Sequence, residues 1–450
     1  MGRVSIKGAL RGGTFDVVAL VAACAALSIA AYAQNVSPAP AVQASIASSS
    51  LADGEPFALK DGDTVVFYGD SITAQRLYTK DVEDFVLTRY PNLHIHFVNA
   101  GVGGDTVNGG YAGTLAERVG RDVAPFHPTM ITAMLGMNDG GYGQGSPEID
   151  AAFQKGFRGV IEALHKAAPD AVITLIAPTP YDEITHGTEF PGYSRVIDAF
   201  ATDVTQMGAQ LQAAGDMKIM VADFNRPMTA ALGRAKAEFP ELAPLIVPDR
   251  IHPSDAGHWI MAAALVSAWH LNPVVSSVTF NAASNTVVQK DRTTITNLEK
   301  SAKGLTWTQL DDALPLPFDF NNAMVPMLIK ISDIAQLDEL RLRVESLEPG
   351  RYDLLIDGKM IASFSSEELM HGVNLALYKS PMLDQARDVD WNEDRRAKLD
   401  LARFMLSADI KQTATSGVAE DRLRDAEDEL DAATRKDLPP KPHRFELRRQ

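Results

Sequence analysis

The sequence predicts an α/β fold on a parallel sheet, followed by a C-terminal β-rich module and a helical C-terminal region. Short apolar runs alternate with amphipathic stretches from Phe57 to Asn272, small-residue turn motifs sit at the ends of those runs, and the composition changes after Asn272-Pro273. Strands that are apolar throughout are buried on both faces, which requires helices on each side of a parallel sheet. The 450 residues allow two to four domains.

In chain order, Arg3, Lys7 and Arg11 precede an apolar stretch from Val17 to Ala31, and Ala31-Tyr32-Ala33 has the small-x-small spacing of a signal-peptidase site. Residues 1–33 therefore read as an export signal cleaved before Gln34, giving a periplasmic or secreted protein. Two alternatives stay open: an uncleaved anchor, and lipidation of Cys24, which stands in a lipobox-like Val21-Ala22-Ala23-Cys24. In either case the exported chain has no disulfide, because Cys24 is the sole cysteine. Residues 34–56 are rich in Ser, Ala and Pro and read as a linker.

Within 57–272, the runs at 64–68, 94–98, 129–135, 171–177 and 218–222 read as strands. Those at 77–90, 114–123, 149–168, 194–214 and 256–269 read as helices. Residues 273–370 are strand-like and turn-rich, with Pro349-Gly350 marking a turn between two strands. Residues 371–450 read as helices around 374–407 and 420–434, the second a charged, solvated helix, ending in a Pro-rich basic tail from Pro439. The formal net charge of −16 argues against nucleic-acid binding, which needs a dense basic surface.

Four motifs fall at strand ends or loops of the α/β part: Gly69-Asp70-Ser71-Ile72, Asn99-Ala100-Gly101-Val102-Gly103-Gly104-Asp105-Thr106, Gly136-Met137-Asn138-Asp139 and Asp249-Arg250-Ile251-His252. The carboxyl edge of such a sheet is where ligands bind. Acyl transfer needs a hydroxyl nucleophile, an imidazole to take its proton and a carboxylate to hold the imidazole, and Ser71, His252 and Asp249 supply these. The backbone N–H groups of Ser71 and Gly104 and the side-chain amide of Asn138 are candidate oxyanion donors. Each motif alone reads as a turn or a helix cap; their joint order carries the functional reading. His94 and His96 alternate on a strand and read as packing residues, so no metal site and no cofactor are expected.

The ordered set resembles the four blocks of the SGNH hydrolases, also called GDSL-type esterases, over about residues 60–272. The resemblance implies a flavodoxin-like three-layer α/β/α sandwich, a Ser71-His252-Asp249 triad and an oxyanion hole of Ser71, Gly104 and Asn138. Met137 departs from the small residue often found there. The resemblance says little about residues 274–450.

The loops at 108–111 and 140–145 are glycine-rich and polar, and each carries a tyrosine, Tyr111 and Tyr142. They offer no continuous apolar wall for a long acyl chain, so a short acyl group, acetyl first, is expected. Aromatic rings beside polar groups suit a small-molecule or glycan ester, although both tyrosines also suit a packing role. The alternatives are a lysophospholipase or thioesterase of the same fold and a non-catalytic carbohydrate-binding surface protein; the oligomeric state stays open.

Overall fold

Five strands, β1 (Thr64–Gly69), β2 (His96–Gly101), β3 (Met130–Met134), β4 (Val172–Ala177) and β5 (Ile219–Asp223), pair in the order β2-β1-β3-β4-β5, every pair parallel. The apolar side chains of β1 and β3 are buried on both faces, as a sheet covered twice requires. The computed structural model describes residues 56–187, 189–409 and 414–450. The expected export signal with Cys24, and all but the last residue of the linker, lie outside the described residues.

The sheet is flanked by α1 (Leu77–Arg89), α2 (Leu115–Asp122), α3 (Pro147–Ala167), α4 (Tyr193–Ala214), α5 (Asn225–Glu238) and α6 (Asp255–Ala268). Local chemistry sets several helix starts: Thr114 and Glu117 form a reciprocal capping box at α2, and the Ser146 hydroxyl caps α3 with Pro147 in its first position. The sequence reading misses α5. Its buried face is Met228, Ala231, Leu232 and Ala235, so alanine weakens the apolar period even though helix propensity is high. The second strand begins at His96, so His94 lies before it and pairs with Asp61 at 2.9 Å.

The strand order reverses direction of growth between β1 and β3. Such a switch point opens a crevice at the carboxyl ends of the two strands, and Ser71 follows β1 while Asn138 follows β3.

Beyond α6 come β6 (Val274–Asn281), β7 (Thr286–Asp291), β8 (Thr293–Ser301), β9 (Gly304–Asp311), α7 (Met324–Ile331), β10 (Glu339–Glu345), β11 (Arg351–Ile356), β12 (Lys359–Ser365), α8 (Pro381–Asp409), α9 (Ala414–Asp437) and β13 (His443–Arg449). One sheet has the order β8-β9-β13-β11-β12; the other joins β7, β6, β10 and the short strand Val373–Asn374. They share a second core that includes Phe280, Trp307, Leu342, Leu354, Phe445 and Leu447. The Pro349-Gly350 turn thus connects strands in different sheets.

Two expectations for the C-terminal part are corrected. The basic tail contains β13, which pairs with β9 on one side and β11 on the other. Phe445 and Leu447 are fully buried while Arg444 and Arg448 face outward; a two-residue period behind Pro439-Pro440 had looked like a charged tail. The core also does not divide at 272: Leu316, Phe318, Val325, Leu328 and Ile331 pack into the α/β core. Helix α8 then returns to α1 through Arg76–Asp400 at 2.9 Å, Lys80–Asp390 at 2.6 Å and Arg396–Glu83.

One buried ion pair ties the end of α1 to this returning segment. Arg89 and Asp338 have no solvent exposure and meet at 3.2 Å. Arg89 also donates to the carbonyls of Leu337 and Asn272, and Asp338 accepts from the Leu316 N–H at 3.0 Å. Truncating one partner leaves the other charge buried and uncompensated, so Arg89→Ala should cost about 3–5 kcal/mol. Urea unfolding should show this as a lower midpoint; an unchanged midpoint would mean that the pair is not a stabilising link.

Candidate active site

Ser71 is placed by a short helical turn, Ser71–Ala74, that follows β1 directly. Asp70 caps it: its buried carboxylate accepts the Ile72 N–H at 3.0 Å. Ser71 holds the first helical position, where a backbone N–H has no intrahelical acceptor. The turn can sit over the end of β2 because Gly101 has no side chain; a Cβ there would stand 2.3 Å from the Ala74 nitrogen.

The second chain segment is the loop before α6. Asp249 receives the backbone N–H of Ile251 at 3.0 Å and of His252 at 2.7 Å on one carboxylate oxygen. Its other oxygen lies 2.7 Å from His252 Nδ1, and His252 Nε2 lies 2.8 Å from Ser71 Oγ. With the carboxylate accepting from Nδ1–H, the neutral ring presents a lone pair on Nε2 to the serine hydroxyl. The three side chains therefore form one continuous hydrogen-bonded line.

Asp182, Gly187 and Glu189 buttress that loop. The Asp182 N–H donates to the Arg250 carbonyl at 2.9 Å, and Arg250 reaches the Gly187 carbonyl at 2.8 Å and Glu189 at 3.1 Å. Arg250 has a left-handed backbone, φ 71°, and these partners hold it there. Their separation in sequence hides them from motif reading.

The other two candidate oxyanion donors, Gly104 and Asn138, lie on two loops stitched together. Asn138 Nδ2 donates to the Asp105 carbonyl at 2.9 Å, and the Val107 N–H donates to Asp139 at 3.0 Å. An amide nitrogen carries two hydrogens, so one remains for a ligand. Tyr142 fixes the amide orientation by donating its hydroxyl to Asn138 Oδ1 at 3.0 Å. Gly104 has φ 71°, and its N–H has no hydrogen-bond partner among the described residues. A side chain would meet no neighbour there, so the left-handed backbone is what favours glycine. Met137 is fully buried, and its carbonyl accepts the Tyr193 hydroxyl at 2.7 Å.

Sequence reading missed Arg118. Its guanidinium is fully buried against the Tyr68 ring, donates to Asp105 at 2.9 Å, Ala100 O at 2.9 Å and Gly69 O at 3.3 Å, and pairs with Asp122. It therefore ties the ends of β1 and β2 to the loop carrying Gly104. An arginine in α2 thirteen residues after Asp105 gave no local signal.

Tyr111 does not join the group. It stands between Gly109–Gly110 and Gly113–Thr114, two short paired strands that lift its ring to 83% exposure. It lines a shallow hollow with Glu117 and Arg121, and among the described residues no hydrogen bond or ring contact links it to Ser71, His252 or Asn138. Tyr142 by contrast is half-buried against Phe190 and Tyr193, with ring centroids 5.4 and 5.0 Å away. Among the described residues, no three His, Cys, Asp or Glu side chains converge on a metal-sized site.

The charges oppose one another. Burial pushes the Asp249 carboxyl up, but the hydrogen bonds from the His252 ring and from the backbone of His252 and Ile251 outweigh it and hold it at about 2. The hydrogen bond to Asp249 raises His252 above its ordinary value, against burial and with help from the charges of Asp249 and Asp70. Burial lifts Asp70 to about 7, opposed by the Ile72 N–H.

Residues 67–260 match the profile of the GDSL-like lipase/acylhydrolase family. An acetylxylan esterase of Geobacillus stearothermophilus is 25% identical over 232 residues, which is 46% of this chain and 93% of the relative. The solved structure of a gut microbial diltiazem-metabolizing enzyme superposes with a TM-score of 0.71 at 24% identity, covering 87% of this chain and 98% of its own. That likeness in fold extends over the C-terminal β-rich part.

The His252 imidazole should titrate above the ordinary value of about 6.5, so the protonated ring should persist to a higher pH than in a free histidine. Asp249→Asn should move that titration down by removing the acceptor on Nδ1. NMR titration of the His252 ring checks both; a value unmoved by Asp249→Asn would contradict the electrostatics described.

Proposed function

From the premise that residues 67–260 belong to the GDSL-like lipase/acylhydrolase family, which makes this chain a carboxylic ester hydrolase, we propose that it removes short acyl groups, acetyl first, through Ser71, His252 and Asp249. The observation that carries the reading is the line from Ser71 Oγ to His252 Nε2 at 2.8 Å and from Nδ1 to Asp249 at 2.7 Å. His252 takes the Ser71 proton as Oγ attacks the ester carbonyl carbon. The negative charge that develops on the carbonyl oxygen is met by the N–H groups of Ser71 and Gly104 and the second amide hydrogen of Asn138. Protonated His252 gives its proton to the departing alkoxide, leaving an acyl-Ser71. Water, deprotonated by the same ring, releases the acid and restores the serine. Asp249 keeps Nδ1 protonated and stabilises the imidazolium.

Three features support a short acyl group on a carbohydrate. The loops at 140–145 and 108–111 are glycine-rich, the ring that reaches Asn138, Tyr142, is itself half-buried against Phe190 and Tyr193, and a relative bears the name acetylxylan esterase. Export, read from residues 1–33, agrees with a substrate met outside the cell.

Ser71→Ala should abolish ester hydrolysis without unfolding the protein, since only a hydroxyl is lost; near wild-type turnover would overturn the assignment. Asn138→Ala should lower kcat by about 100- to 1000-fold, with a smaller change in KM, because its amide acts on charge formed in the transition state. A change in KM alone would make it a substrate-positioning residue.

Acyl length tests the substrate class. A deep apolar pocket would gain about 0.8 kcal/mol per buried methylene; the glycine-rich loops offer no such wall, so kcat/KM on p-nitrophenyl acetate, butyrate and octanoate should fall along the series. A maximum at octanoate would reject the short-acyl reading in favour of a lysophospholipase or thioesterase.

A further inference from the structure

A second cavity, of about 260 Å³, lies where the N-terminal turns of α1 and α6 meet segment 317–328 and the middle of α8. None of Ser71, His252 and Asn138 lines it. Five carboxylates do: Asp81, Asp255, Asp319, Asp390 and Asp394, against the single cation Lys80. Lys80 is already shared among Asp84 at 2.8 Å, Asp390 at 2.6 Å and Asp81 at 3.4 Å. Arg387 serves Asp319 and Lys398 serves Asp394 from outside the lining. Asp255 has no ion pair among the described residues.

Asp81 is the most enclosed of the five, and Lys80 reaches only its Oδ1. It is 4% exposed, and its Oδ2 has no hydrogen-bond partner among the described residues. A buried carboxylate oxygen without a donor is costly and rare, and burial, with Asp255 and Asp390 adding to it against Lys80, lifts this carboxyl to about 7.

The remaining wall is aromatic. Trp259 and Phe318 lie 5.1 Å apart, and Trp391 is 58% exposed with Arg395 already stacked on its ring at 4.7 Å. Indole faces attract cations, most strongly where water is excluded. The carboxylates do not converge as metal ligands do, so the cavity suits a cation with an apolar body.

We propose that this cavity binds an organic ammonium ion, its charged nitrogen held by Asp81 and Asp255 and its body laid against Trp259 and Trp391. The site is separate from the Ser71 line and does not depend on the proposed esterase chemistry.

The test is calorimetric titration of the full chain with 2-phenylethylammonium, using 2-phenylethanol as a neutral control of similar shape. The expected result is saturable binding of the ammonium, at least about tenfold weaker binding of the alcohol, and about tenfold losses in Asp255→Asn and in Trp391→Ala with unchanged melting. Both substituted residues are exposed, so the fold should survive. No saturable binding, equal affinity for the alcohol, affinity unchanged in both variants, or displacement by magnesium at matching concentration would each overturn the proposal.

Discussion

The guanidinium of Arg118 donates to two backbone carbonyls at the carboxyl ends of neighbouring strands, Gly69 of β1 and Ala100 of β2, while its other nitrogens hold Asp105 and Asp122. Removed from water, this charge is tolerable only because carboxylates and carbonyls surround it. Through Asp105 the same group fixes the loop bearing Gly104, and the Asp105 carbonyl accepts the amide of Asn138. Strand ends and the proposed oxyanion donors therefore share one anchor. The reversal of strand order beside it supplies the crevice.

A second set of constraints comes from the later half of the chain. Residues 316–334 complete the α/β core, Arg89 and Asp338 tie that segment to α1, and α8 returns to α1 through three ion pairs. Strand β13 lies in the middle of a sheet, so Phe445 and Leu447 are needed for the β-rich core. The charged surfaces of α1 and α8 also enclose the acidic, aromatic cavity, a product of their docking that neither helix carries alone.

Much of the α/β part is legible in the sequence because its strands are apolar on both faces and its turns carry Gly, Asp, Ser and Asn. The line from Ser71 to Asp249 was readable for the same reason: each residue follows a local motif. What escaped was non-local or weakly periodic. Helix α5 buries mostly alanine, and β13 hides its alternation among arginines. Outside its own helix Arg118 acts on groups 13 to 49 residues away, and the Asp182–Arg250 contact spans α4, β5 and α5. Tyr111 and Tyr142 looked alike as aromatic residues in glycine-rich loops. Only the structure separates them, one by a hairpin that exposes it and the other by a hydrogen bond to Asn138.

The central claim is that His252 activates Ser71 as a nucleophile. Peptide mapping by mass spectrometry after reaction with an organophosphonate ester tests it most directly, because a covalent phosphonyl group marks the attacking oxygen. The account predicts one adduct, on the peptide containing Ser71, lost in Ser71→Ala and strongly slowed in His252→Ala. An adduct on another residue, or undiminished labelling of Ser71 without His252, would contradict it.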